Sequence, residues 1–302
     1  MHLVPVTPPA HVQTLSHFDY VATDAERRRV YAAHTGSNAL LIVNADTGAV
    51  LGQVDVGPLH GVAVDPQSGH VYTGDGEART VSEVDPAGRT VVRSADVDGK
   101  VDAIAYDPAL HRVYADEDDG SRIFVVDTQT MKQIGTIKIP GHKPEYLAVD
   151  PETHDVYQNI DNLAEVAVID AGEMKVKRTF QTPDIKHNHP LQFDATYHIL
   201  LVGGKNGVMA SYSRDGRLLG KAAIPAGTDQ CDFDQGTHSL ACAASGKITV
   251  LKLSSNGQLT AVAQMDAAEG VHTLAFDGKT GNIWIVWAQT DGDFIQQLSL
   301  AP

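Results

Sequence analysis

Short hydrophobic segments that end in aspartate recur along the chain at a nearly constant interval. Aligned on that aspartate, they read DYVATD, HGVAVD, DAIAYD, EYLAVD, HPLQFD, DQCDFD and HTLAFD. The aspartates stand at positions 24, 65, 107, 150, 194, 234 and 277, so the period is 40–44 residues. Seven copies at one period indicate a repeat architecture in which each unit packs against its neighbours.

Each unit contains the same order of strand and turn signals. The segment that ends in aspartate is followed by a turn such as PQSGH and by three further apolar segments, such as HVYTG, IFVVD and VLGQVDV. Gly, Pro, Asn and Asp occupy the turns because they tolerate the dihedral angles of tight turns. No segment shows helical periodicity. The pattern predicts an all-β fold, a seven-bladed β-propeller with four antiparallel strands per blade, as a single domain over residues 1–302. A β-solenoid would have shorter repeats, and an open sandwich would not hold so steady a period.

The last unit supplies only three strand segments, at 272–277, about 282–288 and 293–299. The segment AHVQTL at 10–15 precedes the first unit, where a fourth strand belongs. We expect this N-terminal segment to complete the last blade, because an unpaired edge would expose backbone hydrogen-bonding groups.

Composition excludes some classes of partner. The 302 residues carry a net charge of −15, which disfavours nucleic acid, and the densest basic run is the short ERRR at 26–29. No apolar run approaches 18 residues, so no membrane partner is expected.

The alignment places Cys231 opposite Cys242; two buried free thiols are favoured, because direct cross-strand bridges are strained, and a disulfide remains an alternative in an oxidising compartment.

Several longer phrases resemble the YVTN repeats of bacterial YncE-like propeller proteins. They are PLHGVAVDPQSGHVYTGD, VDAIAYDPALHRVYAD, KPEYLAVDPETHDVYQNIDNLAEVAVID and LLVGGKNGVMASYSRDGRLLG, and the resemblance covers almost the whole chain. It implies the seven-bladed fold. It also implies a periplasmic or secreted location, because many such proteins are exported. The N-terminal MHLVPVTPPAHVQTL lacks the features of a signal peptide, so a cytoplasmic location stays open. The resemblance implies no particular activity.

The first residues of the seven aligned segments should form a ring around the channel mouth, since innermost strands of a propeller begin there. These residues are Asp19, His60, Asp102, Glu145, His189, Asp229 and His272. Imidazoles and carboxylates without cations suit a divalent metal ion; Zn²⁺ is favoured, with Cu, Ni, Mn, Fe or Ca as alternatives. We predict that His60, His189 and His272 converge as ligands, with Glu145 as fourth ligand or general base. Asp102, Asp229 and Asp19 would orient ligands or bind a second ion. A water-filled polar channel is the competing interpretation.

Residues just outside this ring are candidates for substrate contact. His17 and His187 lie two residues before ring positions, and the second loops contribute His34, Lys205 and Asn206. The acidic run DEDDG at 116–120 is either a Ca²⁺ loop or, more commonly for such runs, a solvated loop. Five further histidines, assigned no function, fall in turns on the opposite face: His70, His111, His154, His198 and His238.

The site residues favour a metal-dependent hydrolase of an ester, lactone or phosphoester, in which the metal activates a water molecule. A non-enzymatic scaffold that binds a ligand, metal or protein is the main alternative, and a metal-dependent lyase is a further one. The sequence contains no GxSxG nucleophile motif and no glycine-rich phosphate loop. We expect a monomer that acts on a small molecule.

Overall fold

Each repeat unit folds into a four-stranded antiparallel sheet in the computed structural model, which describes residues 1–12, 16–244, 246–290 and 292–301. The chain begins with two short strands of the last blade, β1 (His2–Pro5) and β2 (Ala10–Val12). Blade 1 follows with β3 (Val21–Asp24), β4 (Arg29–His34), β5 (Ala39–Asn44) and β6 (Val50–Asp55). Blade 2 comprises β7 (Leu59–Val64), β8 (Val71–Asp75), β9 (Thr80–Asp85) and β10 (Thr90–Asp96). Blade 3 comprises β11 (Val101–Asp107), β12 (Arg112–Glu117), β13 (Arg122–Asp127) and β14 (Lys132–Lys138).

The second half of the ring repeats this order. Blade 4 comprises β15 (Pro144–Val149), β16 (Val156–Ile160), β17 (Glu165–Asp170) and β18 (Lys175–Gln181). Blade 5 comprises β19 (Asn188–Asp194), β20 (Ile199–Gly204), β21 (Val208–Ser213) and β22 (Leu218–Ala223). Blade 6 comprises β23 (Cys231–Asp234), β24 (Ser239–Ala244), β25 (Lys247–Leu253) and β26 (Leu259–Asp266). Blade 7 comprises β27 (Thr273–Phe276), β28 (Ile283–Gln289) and β29 (Gly292–Ala301), and short 3₁₀ turns occur at Thr35–Ser37 and Asp161–Leu163.

The blades form a closed ring. The innermost strands contact one another in sequence from β3 through β7, β11, β15, β19 and β23 to β27, and β27 contacts β3. The outer edge of β29 pairs antiparallel with both N-terminal strands, with His2 opposite Ala301 and Ala10 opposite Ile295. The predicted propeller and the predicted N-terminal closure are therefore confirmed. The strand at 2–5 adds to the prediction, and positions 13–15 of the predicted strand lie outside the described residues.

The repeat aspartates are explained by the turn that follows them. Each carboxylate accepts backbone N–H groups two or three residues later; Asp24, for example, accepts from Arg27 at 2.8 Å, and Asp277 from Lys279 at 3.1 Å. The residue four positions after each aspartate has φ between 51° and 80°: Arg28, Gly69, His111, His154, His198, His238 and Gly281. Glycine adopts this left-handed conformation without the steric cost that other residues bear. The period of the sequence is thus the period of one capped turn.

The hydrophobic core is divided among the seven blade interfaces. Each of seven hydrophobic clusters in the described residues combines side chains from two adjacent blades. Trp284 is fully buried between blades 7 and 1 with Phe18 and Val286. Since every blade has an apolar partner on both sides, the ring needs no second layer of structure.

Cys231 and Cys242 form a disulfide between neighbouring strands of blade 6. They are paired in the register of β23 and β24, with Cα atoms 4.3 Å apart, and both are buried. The expected opposition of the two residues is confirmed, whereas the expectation of free thiols is wrong, because their direct pairing brings the two sulfur atoms within bonding distance.

We expect a Cys231→Ala/Cys242→Ala variant to lose roughly 2–3 kcal/mol of unfolding free energy, the cost typical of opening a short covalent loop in the unfolded chain. The sequence separation is 11 residues. Urea denaturation of the two proteins measures the difference, and reduction of the wild-type protein should reproduce it. A midpoint that a strong reductant leaves unchanged would show that the bridge contributes nothing.

Candidate metal centre

Several of the ring residues lie where the innermost strands are interrupted by β-bulges. In β7 the register shifts between Leu59 and Val62, so His60 lies in the bulge. Equivalent shifts place Asp102 in the bulge of β11 and His189 in the bulge of β19. A bulge re-aims side chains that regular pleating would direct elsewhere. These bulges explain how successive blades present polar groups at the same end of the channel.

The first cluster consists of Asp19, His60 and Asp102, from blades 1, 2 and 3. His60 Nδ1 lies 2.7 Å from Asp19 Oδ2 and 3.9 Å from Asp102 Oδ1. Gln230, which precedes β23 of blade 6, donates to the second oxygen of Asp19 at 2.8 Å. One ligand atom from each member of the cluster lies within 4.8 Å of the others, which is a spacing suitable for a metal ion.

The second cluster consists of Glu145, Asp161 and His189, from blades 4 and 5. Their ligand atoms meet the same 4.8 Å spacing. His189 Nδ1 lies 3.0 Å from Glu145 Oε2, and His189 Nε2 lies 2.7 Å from Asp229 Oδ1. His189 is the most enclosed of these groups, with 8% of its surface exposed. Asp161, which the sequence interpretation did not single out, enters the site from the 3₁₀ turn after β16.

The three ring histidines do not share a cluster among the described residues. His272 stands apart from both clusters, because its Nδ1 lies 2.9 Å from the carbonyl oxygen of Gly270 and its Nε2 lies 3.0 Å from that of Phe18. His60 and His189 are each held by carboxylates of adjacent blades. The predicted convergence of His60, His189 and His272 is therefore replaced by two sites of one imidazole and two carboxylates, and metal binding itself stays a prediction.

The carboxyl groups at the channel mouth raise one another's pKa. Burial raises the pKa of Asp102 to about 8, and the charges of Asp19 and Glu145 act in the same direction. Burial raises the pKa of Glu145 to about 8 as well; Lys205 acts against this shift, while Asp229 and Asp161 act with it. A bound divalent cation would remove this repulsion.

For Asp229 and His60, partners of opposite charge outweigh the effect of burial on the pKa. Burial acts to raise the pKa of Asp229, but the hydrogen bond and charge of His189, with the charge of Lys205, hold it well below its usual range. Burial acts to lower the pKa of His60, but the hydrogen bond to Asp19 and the charges of Asp19 and Asp102 raise it. In the cation-free protein, protons on Asp102, Glu145 and His60 thus neutralise part of the negative charge.

The predicted substrate-contact residues occupy different environments. His17 and His187 are exposed, and His187 Nδ1 lies 3.1 Å from Asp161 Oδ1, which places it beside the second cluster. Lys205 Nζ lies 3.2 Å from Asp229 Oδ1. Asn206 is exposed, but its side chain braces its loop by accepting from the Lys186 N–H and donating to the Asp184 carbonyl. Substrate contact by these residues stays a prediction.

His34 is not on the rim, and that part of the prediction is wrong. It is fully buried, its Nε2 lies 2.5 Å from Asp293 Oδ2, and its ring stacks on Phe18 with centroids 4.6 Å apart. The partner belongs to β29 of blade 7, so the pair joins the two ends of the ring. The repeat pattern of the sequence contains no signal for a partner that is 259 residues away.

The acidic run after β12 also differs from a Ca²⁺ loop. Asp116 is buried and accepts from the Ala103 N–H at 2.7 Å, Glu117 pairs with Arg122, and Asp119 pairs with Lys143 at 3.2 Å. These side chains have separate partners, and the described residues contain no metal-type cluster made from them.

Two turn histidines that had no predicted role form hydrogen bonds with the repeat aspartate of the preceding blade. His154 Nδ1 lies 2.8 Å from Asp107 Oδ2, and His238 Nδ1 lies 2.7 Å from Asp194 Oδ2. Each pair connects the repeat aspartate of one blade to the left-handed turn residue of the next. The signal in the sequence was the spacing of 47 and 44 residues, about one repeat period.

No protein-family model matches the chain, and no curated protein matches it. Among solved structures, a chain of the Kuenenia stuttgartiensis hydrazine synthase is similar, with a TM-score of 0.82 and 15% identity over 95% of this chain and 97% of that one. A chain of a mitotic checkpoint complex has a TM-score of 0.79 and 14% identity over 100% of this chain and 91% of that one. These likenesses show the propeller fold alone. The YncE-like resemblance therefore stays a resemblance, with its fold confirmed.

In the described residues, no helix has the length and hydrophobicity needed to cross a membrane.

Proposed function

We propose that the protein is a metal-dependent hydrolase whose cation lies at the mouth of the central channel. The observation that carries this proposal is the presence of two clusters, each with one imidazole nitrogen and two carboxylate oxygens within 4.8 Å of one another. This mixed nitrogen and oxygen donor set suits Zn²⁺ or Mn²⁺ better than a purely oxygen-liganded ion such as Mg²⁺.

The surrounding residues supply the other functions that hydrolysis needs. A bound cation would polarise an ester, lactone or phosphoester and acidify a water molecule. Glu145 would serve as a ligand of the second cluster or, when a cation occupies only the first cluster, as a general base whose pKa of about 8, raised by burial, lies near neutral pH. The Lys205 ammonium, 42% exposed beside Asp229, is placed to meet a negatively charged group of a small-molecule substrate.

The disulfide supports an extracytoplasmic location for this activity. Disulfides such as Cys231–Cys242 persist in oxidising compartments and are rare in the cytosol. We therefore propose that the protein acts in the periplasm or after secretion, in agreement with what the YncE-like resemblance implies.

The proposal predicts that cation binding and hydrolysis are lost together. Metal-free protein is titrated with Zn²⁺ and Mn²⁺ by calorimetry, and turnover of p-nitrophenyl acetate, a γ-lactone and bis-p-nitrophenyl phosphate is assayed with and without the cation. We expect His60→Ala to abolish binding at the first cluster and His189→Ala at the second, with loss of turnover in at least one variant. His142→Ala is the matched control, because His142 is exposed and belongs to neither cluster.

A non-enzymatic scaffold is the second candidate. It is favoured by the pairing already present within the clusters, where His60 contacts Asp19 and His189 contacts Asp229 at 2.7 Å each. Cation binding without turnover of any substrate class would reject the hydrolase and support a scaffold that holds a metal. Absence of cation binding at pH 8.5 would reject both metal-dependent proposals.

A further inference from the structure

A cavity of about 450 Å³ lies inside the ring, bounded by the innermost strands. Most of its lining residues are apolar, Ala63, Ile104 and Leu147 among them, but the surface that they present to the cavity is mostly polar. Tyr146 lines it and directly follows Glu145 of the second cluster, so the cavity begins next to the channel mouth. The volume falls in the range of small-molecule binding sites.

The cavity contains a carboxylate without a cationic partner. Asp232 lines it, and its Oδ2 accepts from the Phe276 N–H at 2.7 Å. Within the described ranges, no Lys, Arg or His lies at ion-pair distance from Asp232. Burial raises the pKa of Asp232 to about 6, with backbone hydrogen bonds from Phe276 and Phe233 acting against the shift. A carboxylate that is partly removed from water is costly unless a cation or a proton accompanies it.

The neighbouring polar groups present acceptors to the cavity. The Gln192 amide nitrogen donates to the Tyr146 hydroxyl at 2.9 Å and to the Cys231 carbonyl at 2.7 Å, which uses both of its hydrogens. Its Oε1 has no hydrogen-bond partner in the part of the chain that the structure describes. The Gln235 amide is occupied at both ends, by Phe193 O and Ala195 N. The Asp232 carboxylate and Gln192 Oε1 are therefore acceptors that would suit a ligand that donates hydrogen bonds.

Aromatic rings complete the surroundings. Tyr146 and Phe193 both line the cavity. A second cavity of about 280 Å³ shares Tyr106, Val149, Phe193 and Gln235 with the first and includes Pro108 of a turn on the face opposite the clusters. The shared residues show that the second cavity adjoins the first on the side away from the metal clusters.

We propose that the central cavity is a binding site for a small organic ammonium ion, distinct from the clusters at the channel mouth. The ammonium group contacts Asp232 and Gln192 Oε1, and its hydrocarbon part packs against Tyr146 and Phe193. A positive charge satisfies the carboxylate, and the two aromatic side chains bury the hydrocarbon part of the ligand. This inference does not depend on the proposed hydrolase.

The test is calorimetric titration at pH 8 in the presence of a chelator, with benzylammonium and the neutral, nearly isosteric benzyl alcohol. We expect benzylammonium to bind at least tenfold more tightly than the alcohol. Asp232→Asn, which keeps an oxygen for the Phe276 N–H, should weaken benzylammonium binding at least tenfold. Asp215→Asn is the matched control, because Asp215 lies in a turn of blade 5 outside the cavity.

A His60→Ala/His189→Ala variant separates this cavity from the clusters above it and should bind benzylammonium as the wild-type protein does. Loss of binding in that variant, with retention in Asp232→Asn, would move the ligand to the channel mouth and overturn the proposal. Equal affinity for the alcohol, or no binding of the ammonium at 10 mM, would overturn it as well. Thermal unfolding of each variant confirms that a loss of binding is not a loss of fold.

Discussion

An Asp277→Ala variant is expected to lose about 3–5 kcal/mol of unfolding free energy, the range found when one partner of a buried ion pair is removed. Arg28 of blade 1 donates to both oxygens of Asp277 of blade 7, at 2.7 and 2.6 Å. The side chains are 12% and 1% exposed. Removal of the carboxylate leaves the Arg28 guanidinium without its buried partner at the interface between blades 1 and 7, which closes the ring.

Arg28 also provides a matched control. Its Nε donates at 2.8 Å to Asp46, whose side chain is 59% exposed. Because solvent screens this second pair, Asp46→Ala should cost less than about 1 kcal/mol. Urea denaturation of the two variants makes the comparison. Similar losses in both would mean that burial at the ring closure does not determine the contribution.

The same ion pair predicts a pH dependence of stability. Burial acts to raise the pKa of Asp277, but hydrogen bonds from Arg28 and Thr280 outweigh it and lower the pKa. The unfolded carboxyl has a pKa of about 3.9, so the contribution is complete above that pH and is lost as pH falls through the lower, folded pKa. Asp277→Asn should flatten the acid limb of the stability curve relative to the wild-type protein.

The fold could be predicted from the sequence because each repeat contains the residues that form its own turn. The aspartate and the left-handed residue four positions later recur in all seven units, and both act within a single turn. Local rules of this kind do not depend on the rest of the chain. The ring positions could be predicted for the same reason, since each lies within two residues of the start of an innermost strand.

The contacts between ring residues did not follow, because they depend on how far each side chain reaches into the channel. The sequence shows that His60, His189 and His272 occupy equivalent strand positions, but their partners come from neighbouring bulges and loops. Asp161 reaches the second cluster from a 3₁₀ turn, and the Phe18 carbonyl oxygen forms a hydrogen bond with His272. His34 and Asp293 meet only because the ring closes. A contact that depends on closure of the ring joins residues far apart in the sequence, so the repeat pattern does not predict it.

Cation affinity at the channel mouth is expected to rise roughly 200-fold between pH 5.5 and pH 8.5. A ligand must be deprotonated to bind a cation. For a carboxyl with a pKa of about 8, as burial gives Asp102 and Glu145, the ionised fraction rises by roughly that factor over this range. His60, whose pKa is also raised, must lose its proton too and acts in the same direction at the first cluster.

Calorimetric titration of the His60→Ala variant with Mn²⁺ isolates the second cluster for this measurement. Repeated in buffers of different ionisation enthalpy, it gives the number of protons released, which should be about one per cation at pH 6.5–7.5. Glu145→Gln in the same background removes the titrating carboxyl, so any residual affinity should vary much less with pH. An affinity that stays flat from pH 5.5 to 8.5 in the Glu145-containing protein would show that the cation does not displace this proton. In that case the carboxyl groups at the channel mouth keep their protons when the cation binds. The non-enzymatic scaffold would then explain the structure better than the metal-dependent hydrolase.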